Sequence, residues 1–598
     1  MVTTSRAVGM PALAGPHSSA VVWSLLERLF PEGEGTDQPS AAQPWAEIRQ
    51  WAAQLEGALW DLTGSLVGRP RDQLFPAIMP EPMALGGGPA PAGPTEHPDD
   101  VPKVKDVGPD LAANTKRLRE LFLAHYNSDL VVRPFAIADD PPLSAMAAYF
   151  DGLVEVTELH RGIIIPLMLT GGRAGLQQIK LHCLPAGQVE VRQSWADVVE
   201  AVTSGEVVVF VDGQPGFLAV DIKGFEHRPV GAPRNENVVR GPNQGFTENF
   251  RANTALVRRL IRSPLLSVEL FRLGVYTRMD VALLHIRGLT NPKLVAEARR
   301  RLRTLQTSLV ISSGPVEQLI EDSPWSPFPQ VLATERPDRV AAWLEQGCVA
   351  ILVGDDPYAL VMPVTLATLL HSPEDRYLRW YYGSLARLLR ALGLLMATLA
   401  PGVYIAVVMY HSAMIPTSLL LSIASARQAV PFSPLVELVV LDVGWQLIFE
   451  ASVRVPSAIG PTIGIVGALI LGQTAVAAAL VSPMVVIIVA ITAVASFTVP
   501  DYSLAYTTRV LRFAFEILGA LAGLFGIALG TMALVAHLAT VQSLGVPYLS
   551  PAAPFTSEGV DAIIRPQTWQ LRRRARYLRP QNRQRQPRLV RGWLGGSR

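Results

Sequence analysis

Residues 455–500 read VPSAIGPTIGIVGALILGQTAVAAALVSPMVVIIVAITAVASFTVP, 46 positions without an Asp, Glu, Lys or Arg. A membrane-spanning helix needs about 20 apolar residues. The run is therefore long enough for two spans, 459–481 and 484–499, divided at Ser482-Pro483. Two more charge-free runs flank it, 391–426 and 517–557, and each supplies one further span, 391–410 and 517–536. Residues 391–557 carry nine charged residues in 167 positions, against about 22% in the rest of the chain, close to the ~25% of ordinary soluble domains. The 598 residues thus divide into a soluble part, a membrane part and a tail.

Between the first and second runs lies 435–451, which is apolar but carries Glu437, Asp442 and Glu450. The three do not fall on one helical stripe. A carboxylate in lipid is costly and faces protein or a water-filled path. One reading is an ion-path element lined by Glu437, Asp442 and Glu450. The other is an interfacial amphipathic helix whose carboxylates are solvated or paired.

The chain after 557 holds eleven arginines, opposed by Glu558 and Asp561. Arg-rich segments beside spans stay cytosolic. The first thirty residues lack the basic start and short apolar core of an export signal, because Glu27 and Arg28 interrupt 21–30. Both termini are therefore expected on the cytosolic side, which requires an even number of spans. Four spans satisfy this, but they place Arg509 and Arg512 outside.

Residues 1–109 are read as a poorly ordered extension with helix-like stretches at 21–30 and 45–66 and a Pro/Gly-rich linker at 78–109. From 110 to 380 strand and helix signals alternate, giving a cytosolic α/β domain in two lobes, about 110–225 and 226–370. Helical periodicity marks 111–127, 195–202, 247–261, 292–305 and 337–345, and strand patterns mark 130–137, 281–286 and 348–353. The segments 206–211 and 216–222 flank Asp212-Gly213, a hairpin signal. The all-α membrane domain covers 388–555, and 556–598 is the Arg-rich cytosolic tail.

Signatures of catalysis are missing: no GxxxxGK[ST], no GxGxxG after a strand, no HExxH and no GxSxG. The ten histidines are dispersed, and Cys183 and Cys348 alone exclude a disulfide framework or a four-cysteine metal site. No enzyme activity, cofactor or metal is expected. A net charge of +2 excludes a globally basic nucleic-acid binder, and the tail beside a span is read as serving topology and anionic lipid.

Residues 235–262, NENVVRGPNQGFTENFRANTALVRRLIR, combine a Gly-Pro turn with a helix beginning near Thr247. Glu236, Arg240, Gly241, Pro242, Gly245, Phe246, Glu248, Asn253, Arg258 and Arg259 match a pattern of the GerA-type spore germination proteins, the A subunits of nutrient germinant receptors, which this chain resembles. NSDLVVR at 127–133, DGL at 151–153, PFPQ and TERPD within 327–338, PYALVMP at 357–363, 454–476 and SLGVPYLSP at 543–551 extend the resemblance over about 110–555. Departures occur at Asn243-Gln244, Cys348 and Arg376.

The resemblance implies a multi-pass protein of the bacterial spore inner membrane, partnered by a permease-like B subunit and a lipoprotein C subunit. It implies an A subunit that homo-oligomerises and transmits nutrient sensing into germination as a cation-conducting channel. The alternatives are a non-conducting scaffold or signalling subunit, and the accessory homologue associated with the dipicolinate channel.

Overall fold

The computed structural model describes residues 106–138, 141–169, 175–224, 231–233, 235–454, 470–555 and 564–587. The helices expected at 21–30 and 45–66, and the linker up to residue 105, lie outside them.

The soluble part is two five-stranded sheets, both antiparallel throughout. Lobe 1 contains α1 (Leu111–Leu121), β1 (Leu130–Ile137), β2 (Leu143–Phe150), β3 (Val189–Arg192), α2 (Trp195–Ser204), β4 (Val207–Val211) and β5 (Phe217–Val220). Its sheet order is β1-β2-β4-β5-β3. The valine-rich β4 (VVVFV) and the apolar β5 (FLAV) are buried along their whole length and join through the expected turn, where Gly213 takes a φ of +74°. Ser194 and Asp197 form a reciprocal capping box at the start of α2, and Gly205 (φ +91°) ends the helix in the left-handed conformation that glycine adopts at low cost.

Lobe 2 contains α3 (Phe250–Leu260), β6 (Leu266–Leu273), β7 (Met279–Ile286), α4 (Pro292–Thr304), α5 (Ser313–Ile320), β8 (Leu332–Thr334), α6 (Pro337–Gln346), β9 (Val349–Val353) and β10 (Ala359–Met362). Its order, β6-β7-β9-β10-β8, repeats that of lobe 1. The registers repeat too. Leu130 faces Phe150 as Leu266 faces Ile286. Ala145 faces Val211 as Val281 faces Val353. Val207 faces Val220 as Val349 faces Met362. The helix before each central strand also ends alike, on Gly205 and on Gly347 (φ +102°). The two lobes are therefore one structural unit used twice.

Among the described residues five longer helices follow: α7 (Trp380–Tyr410), α8 (Thr417–Arg427), α9 (Pro434–Arg454), α10 (Pro483–Ser496) and α11 (Tyr502–Thr540). By length and composition α7 and α11 could cross a membrane. The expected span 484–499 matches α10 closely, and 391–410 is the second part of α7. Of the expected span 459–481, residues 459–469 lie outside the described residues, and 470–481 holds two short helical turns, Ile470–Thr474 and Ala475–Ala477.

The expected span 517–536 is corrected by the structure. At Gly523 (φ 61°, ψ −144°) the helix leaves helical geometry, and the chain doubles back. Phe515 packs with Ile527, and Leu504 and Leu538 enter the same core. Two ends of one straight helix of this length would lie roughly 50 Å apart. The segments 502–522 and 524–540 are thus the antiparallel arms of a hairpin whose tip meets Tyr410 and His411. Glycine is the physical reason, since this φ/ψ combination is strained for any residue with a Cβ.

The bundle stands directly on lobe 2. Val499, Leu504, Ala505, Leu538, Val541 and Tyr548 belong to the same buried cluster as Ala282, Leu284, Ala350 and Leu352 of the second sheet. The tail joins it as well. Leu578 is buried in that cluster, and Tyr577 packs on it. Arg574 donates from Nε to the Glu345 carbonyl at 2.6 Å, Arg585 pairs with the Glu345 carboxylate at 3.1 Å, and the guanidinium of Arg565 bonds the carbonyls of Arg376 and Leu378. Eight of the eleven tail arginines lie in the described part, and Arg565, Arg574 and Arg585 among them are committed to protein rather than left to lipid.

This docking makes a prediction. Cys348 is 1% exposed, and burial pushes its thiol up to about 12. A maleimide is expected to label Cys183 but not Cys348 in the native full-length chain. A chain ending at residue 563 is expected to label at both, read by peptide mass spectrometry. Continued protection of Cys348 would show that the tail does not seal lobe 2.

Candidate functional site

Two groups of charges that the fold buries contain candidate residues. The first gathers the Gly-Pro motif. Glu236 pairs with Arg339 at 2.5 Å and accepts from Thr334 Oγ1 at 2.5 Å. Arg336, fully buried, donates to the backbone carbonyls of Glu236 (3.0 Å) and Pro242 (2.6 Å) and holds Asp338. Tyr377 donates to the same Asp338 at 2.5 Å, and its ring occupies the place where a Cβ on Gly241 would stand. Gly245 passes close to Pro233, and the Phe246 N–H donates to the Glu335 carbonyl at 2.7 Å. The two motifs at 236–246 and 334–338, separate in sequence, are one hydrogen-bonded unit.

Helix α3 begins at Asn249, which caps Ala252 N, two residues later than Thr247. Thr247 is instead tied to Asn253, whose amide accepts from Thr247 N at 2.8 Å and donates to Thr247 O at 2.7 Å. At the other end of α3, Arg258 forms a two-pronged, buried ion pair with Asp129. It also donates to Asn127 at 3.2 Å and lies 3.8 Å from the centre of the Phe150 ring. Asn127 Oδ1 in turn accepts from Val268 N at 3.0 Å. This knot joins the first strand of lobe 1 to the first strand of lobe 2. Arg240, Glu248 and Arg259 are exposed.

Near the base of the bundle, burial and the neighbouring Glu321 and Asp501 carboxylates raise Glu317 to about 7. An acid whose folded value lies above its unfolded value costs stability once it must ionise. That penalty is absent below about pH 4.5 and complete above about pH 7. Glu317→Gln is therefore expected to raise stability at pH 8 by about 2 kcal/mol, allowing for partial solvation, and to change little at pH 4. Thermal unfolding at the two pH values checks this, and an equal effect at both would contradict it.

The second group lies inside the bundle. Glu437, on the first turn of α9, is fully buried. It faces Arg427 of α8 at 3.1 Å and accepts from Ser482 N at 2.9 Å. Asp442, 1% exposed, has Oδ1 2.7 Å from Arg512 Nη2 of the first hairpin arm, close but off the hydrogen-bond line. Glu516, one turn further along that arm, is fully buried. Glu450 sits on the exposed side of α9 near its end. Arg509 lies 3.8 Å from the centre of the Phe449 ring.

The structure thus places Glu437 and Asp442 against cations inside one chain and leaves Glu450 outward. Arg512, Glu516, Asp129 and Arg336 carry much of this geometry and were not singled out from sequence as partners. A signal existed: Arg512 and Glu516 are four residues apart, one helical turn, in an otherwise apolar run.

These contacts also orient the helices. The Phe449 ring meets Phe497 at 5.8 Å, next to lobe 2, whereas Glu437 meets Ser482 at the opposite end. So α9 and α10 both run toward lobe 2. With α7 and the two hairpin arms, five segments of the described residues cross the bundle. Arg509 and Arg512 then lie in its lobe-proximal half, not beyond the far end.

A duplicated antiparallel α/β domain carrying a helical bundle with buried ion pairs defines a two-part protein in which soluble and apolar halves share one core. Residues 116–577 match the family described as Bacillus/Clostridium GerA spore germination protein, and the chain belongs to that family. The match runs past 555 into the docked part of the tail. Spore germination protein KA of Bacillus subtilis (strain 168) is 38% identical over 467 residues, covering 77% of this chain and 86% of that one. The same organism's uncharacterized membrane protein YfkQ is 37% identical over 473 residues, covering 79% and 91%. The crystal structure of the N-terminal domain of the A subunit of the Bacillus megaterium spore germinant receptor GerK3 is 29% identical, with a TM-score of 0.32, over 43% of this chain and 96% of that one. GerA-family proteins are receptor subunits rather than enzymes.

Proposed function

We propose that this chain is the A subunit of a spore germinant receptor, held in the spore inner membrane with both termini cytosolic, and that it assembles with a permease-like B subunit and a lipoprotein C subunit. In this reading, copies of the chain oligomerise around a cation-conducting path that opens when nutrient is sensed. Leu578 of the tail is buried in the core of lobe 2, which keeps the two on one side of the bundle, as two cytosolic ends require. Exposed Trp380, Tyr381, Tyr382, Tyr502 and Tyr506 ring the lobe-proximal end, and Tyr410, Phe432 and Phe525 the far end, as aromatic residues do at the two water interfaces of a bilayer. Leu385, Leu388, Leu389, Leu392 and Leu395 give α7 an outward apolar stripe suited to lipid or a second copy.

The observation that carries the reading is α9, which brings Glu437, Asp442 and Glu450 into an apolar bundle that shares its core with lobe 2. A movement of the soluble lobe therefore reaches the charged helix without passing through a loose linker. The test is monovalent cation flux through liposomes containing the full-length chain. Glu450→Gln is expected to lower flux severalfold with insertion intact, because the exposed Glu450 can face a path between copies. Unchanged flux would remove it from the path.

A second reading, a non-conducting scaffold, is favoured by one observation: Glu437 and Asp442 are paired within a single chain. No flux from correctly inserted protein, alone and with its B and C partners, would establish it.

A further inference from the structure

We infer that Glu516 is a proton-binding site at the centre of the bundle, held in its neutral acid form. It rests on the reading of the bundle as membrane-embedded. Glu516 is fully buried, and neither of its carboxylate oxygens has a hydrogen-bond partner. Its charged surroundings are few. Asp442 approaches from α9, and Arg512 precedes it on the same arm. Arg509 lies two turns below, against the rings of Phe449, Phe497 and Tyr506, and faces Asp442 rather than Glu516. Residues 391–410 of α7, all of α10 and the second arm contribute no Asp, Glu, Lys or Arg.

One cation, Arg512, therefore stands between two carboxylates, and Asp442 holds it at 2.7 Å. An ionised Glu516 would be a charge without a hydrogen-bond partner in an apolar interior, which is strongly disfavoured. Either a proton or a bound metal ion must offset it. An alkali ion takes several oxygen ligands, whereas among the described residues the carboxylates here are Asp442 and Glu516, and Arg512 already occupies the first. A proton requires one oxygen and no further ligands. The neutral acid also has a use for its O–H, since Asp442 leaves oxygens without hydrogen-bond partners. Binding the proton removes the negative charge of Glu516, so this residue sets the charge that a permeating cation would meet at mid-bundle.

The test is infrared spectroscopy of the full-length chain in lipid at neutral pH, read at the carbonyl stretch of protonated carboxylic acids, in ordinary and heavy water. A band sensitive to the exchange is expected in the wild type and lost in Glu516→Gln, which mimics the neutral acid and is expected to fold as stably. Asp442→Asn should also abolish the band, because Arg512 then takes Glu516 as its counter-ion and draws it into the ionised form. Two results overturn the inference: a band that survives Glu516→Gln, or no band in the wild type together with thermal stabilisation by K⁺ or Na⁺ that Glu516→Gln removes, which would mean an alkali-ion site. Protease protection of the same vesicles reports separately whether the bundle is inserted, so failure of the membrane reading is distinguishable from failure of the proton site.

Discussion

Arg258→Ala is expected to lower the stability of the soluble half by about 3–5 kcal/mol, the usual result of leaving one member of a buried ion pair behind. Asp129 is 1% exposed and has two contacts to this guanidinium. Removing Arg258 strands that carboxylate, opens a space over the Phe150 ring and frees Asn127 from one of its donors. The urea midpoint of the full-length chain in detergent, followed by circular dichroism, measures the loss. A shift worth less than about 1 kcal/mol would mean that the pair is solvated in solution. The double variant Arg258→Met with Asp129→Leu separates charge from packing. Replacing both partners by apolar residues removes the stranded charge, so it is expected to recover much of the loss.

Gly523→Val is expected to break the hairpin. The φ of 61° and ψ of −144° lie in a region nearly restricted to glycine, and a Cβ there would press on Tyr410 and His411. The backbone strain alone costs of order 1–3 kcal/mol, and β-branching adds crowding. If the helix continues straight instead, the C-terminal tail moves to the opposite side of the membrane from lobe 2. The readout is protease access to the Arg-rich tail in vesicles of known orientation. The wild-type tail should be cut together with the soluble lobes. The variant is expected to yield either misassembled protein or a tail cut from the other face. A normally placed tail with unchanged thermal stability would show that the reversal at Gly523 does not set the topology.

The soluble elements could be read from the chain because their signals are local. Asp212-Gly213 between two apolar runs, Pro292 and Pro337 at helix starts, and the glycines after α2 and α6 punctuate the elements wherever the sequence is inspected. Strands β2 and β6 were not legible. LSAMAAYF at 143–150 is small and alanine-rich, and its strand conformation follows from lying between β1 and β4. The repetition of the lobes was hidden for a related reason. Register is a property of paired strands, and Ala145 opposite Val211 shares no residue pattern with Val281 opposite Val353.

The same division applies to the site. Glu437 and Asp442 stood out as charges in an apolar segment, but their partners are 10 residues upstream at Arg427 and 70 downstream at Arg512, distances that helical periodicity does not bridge. The hairpin was missed because 517–557 lacks charge and reads as one uninterrupted apolar run. A single glycine among several in that run carries the reversal.

The shared core of lobe 2 has a consequence for the order in which the protein is made. A ribosome delivers β6–β10 well before Val499, Leu504, Leu538, Tyr548 and Leu578, yet all belong to one buried cluster. When the second sheet emerges, part of the surface it will bury has no occupant. That surface stays wet until the last helices have been threaded and the tail has returned, some two hundred residues later. Completion of lobe 2 is thus a late event in biogenesis, and a chain that stops early or inserts wrongly leaves an apolar face open for the cell's proteases to find.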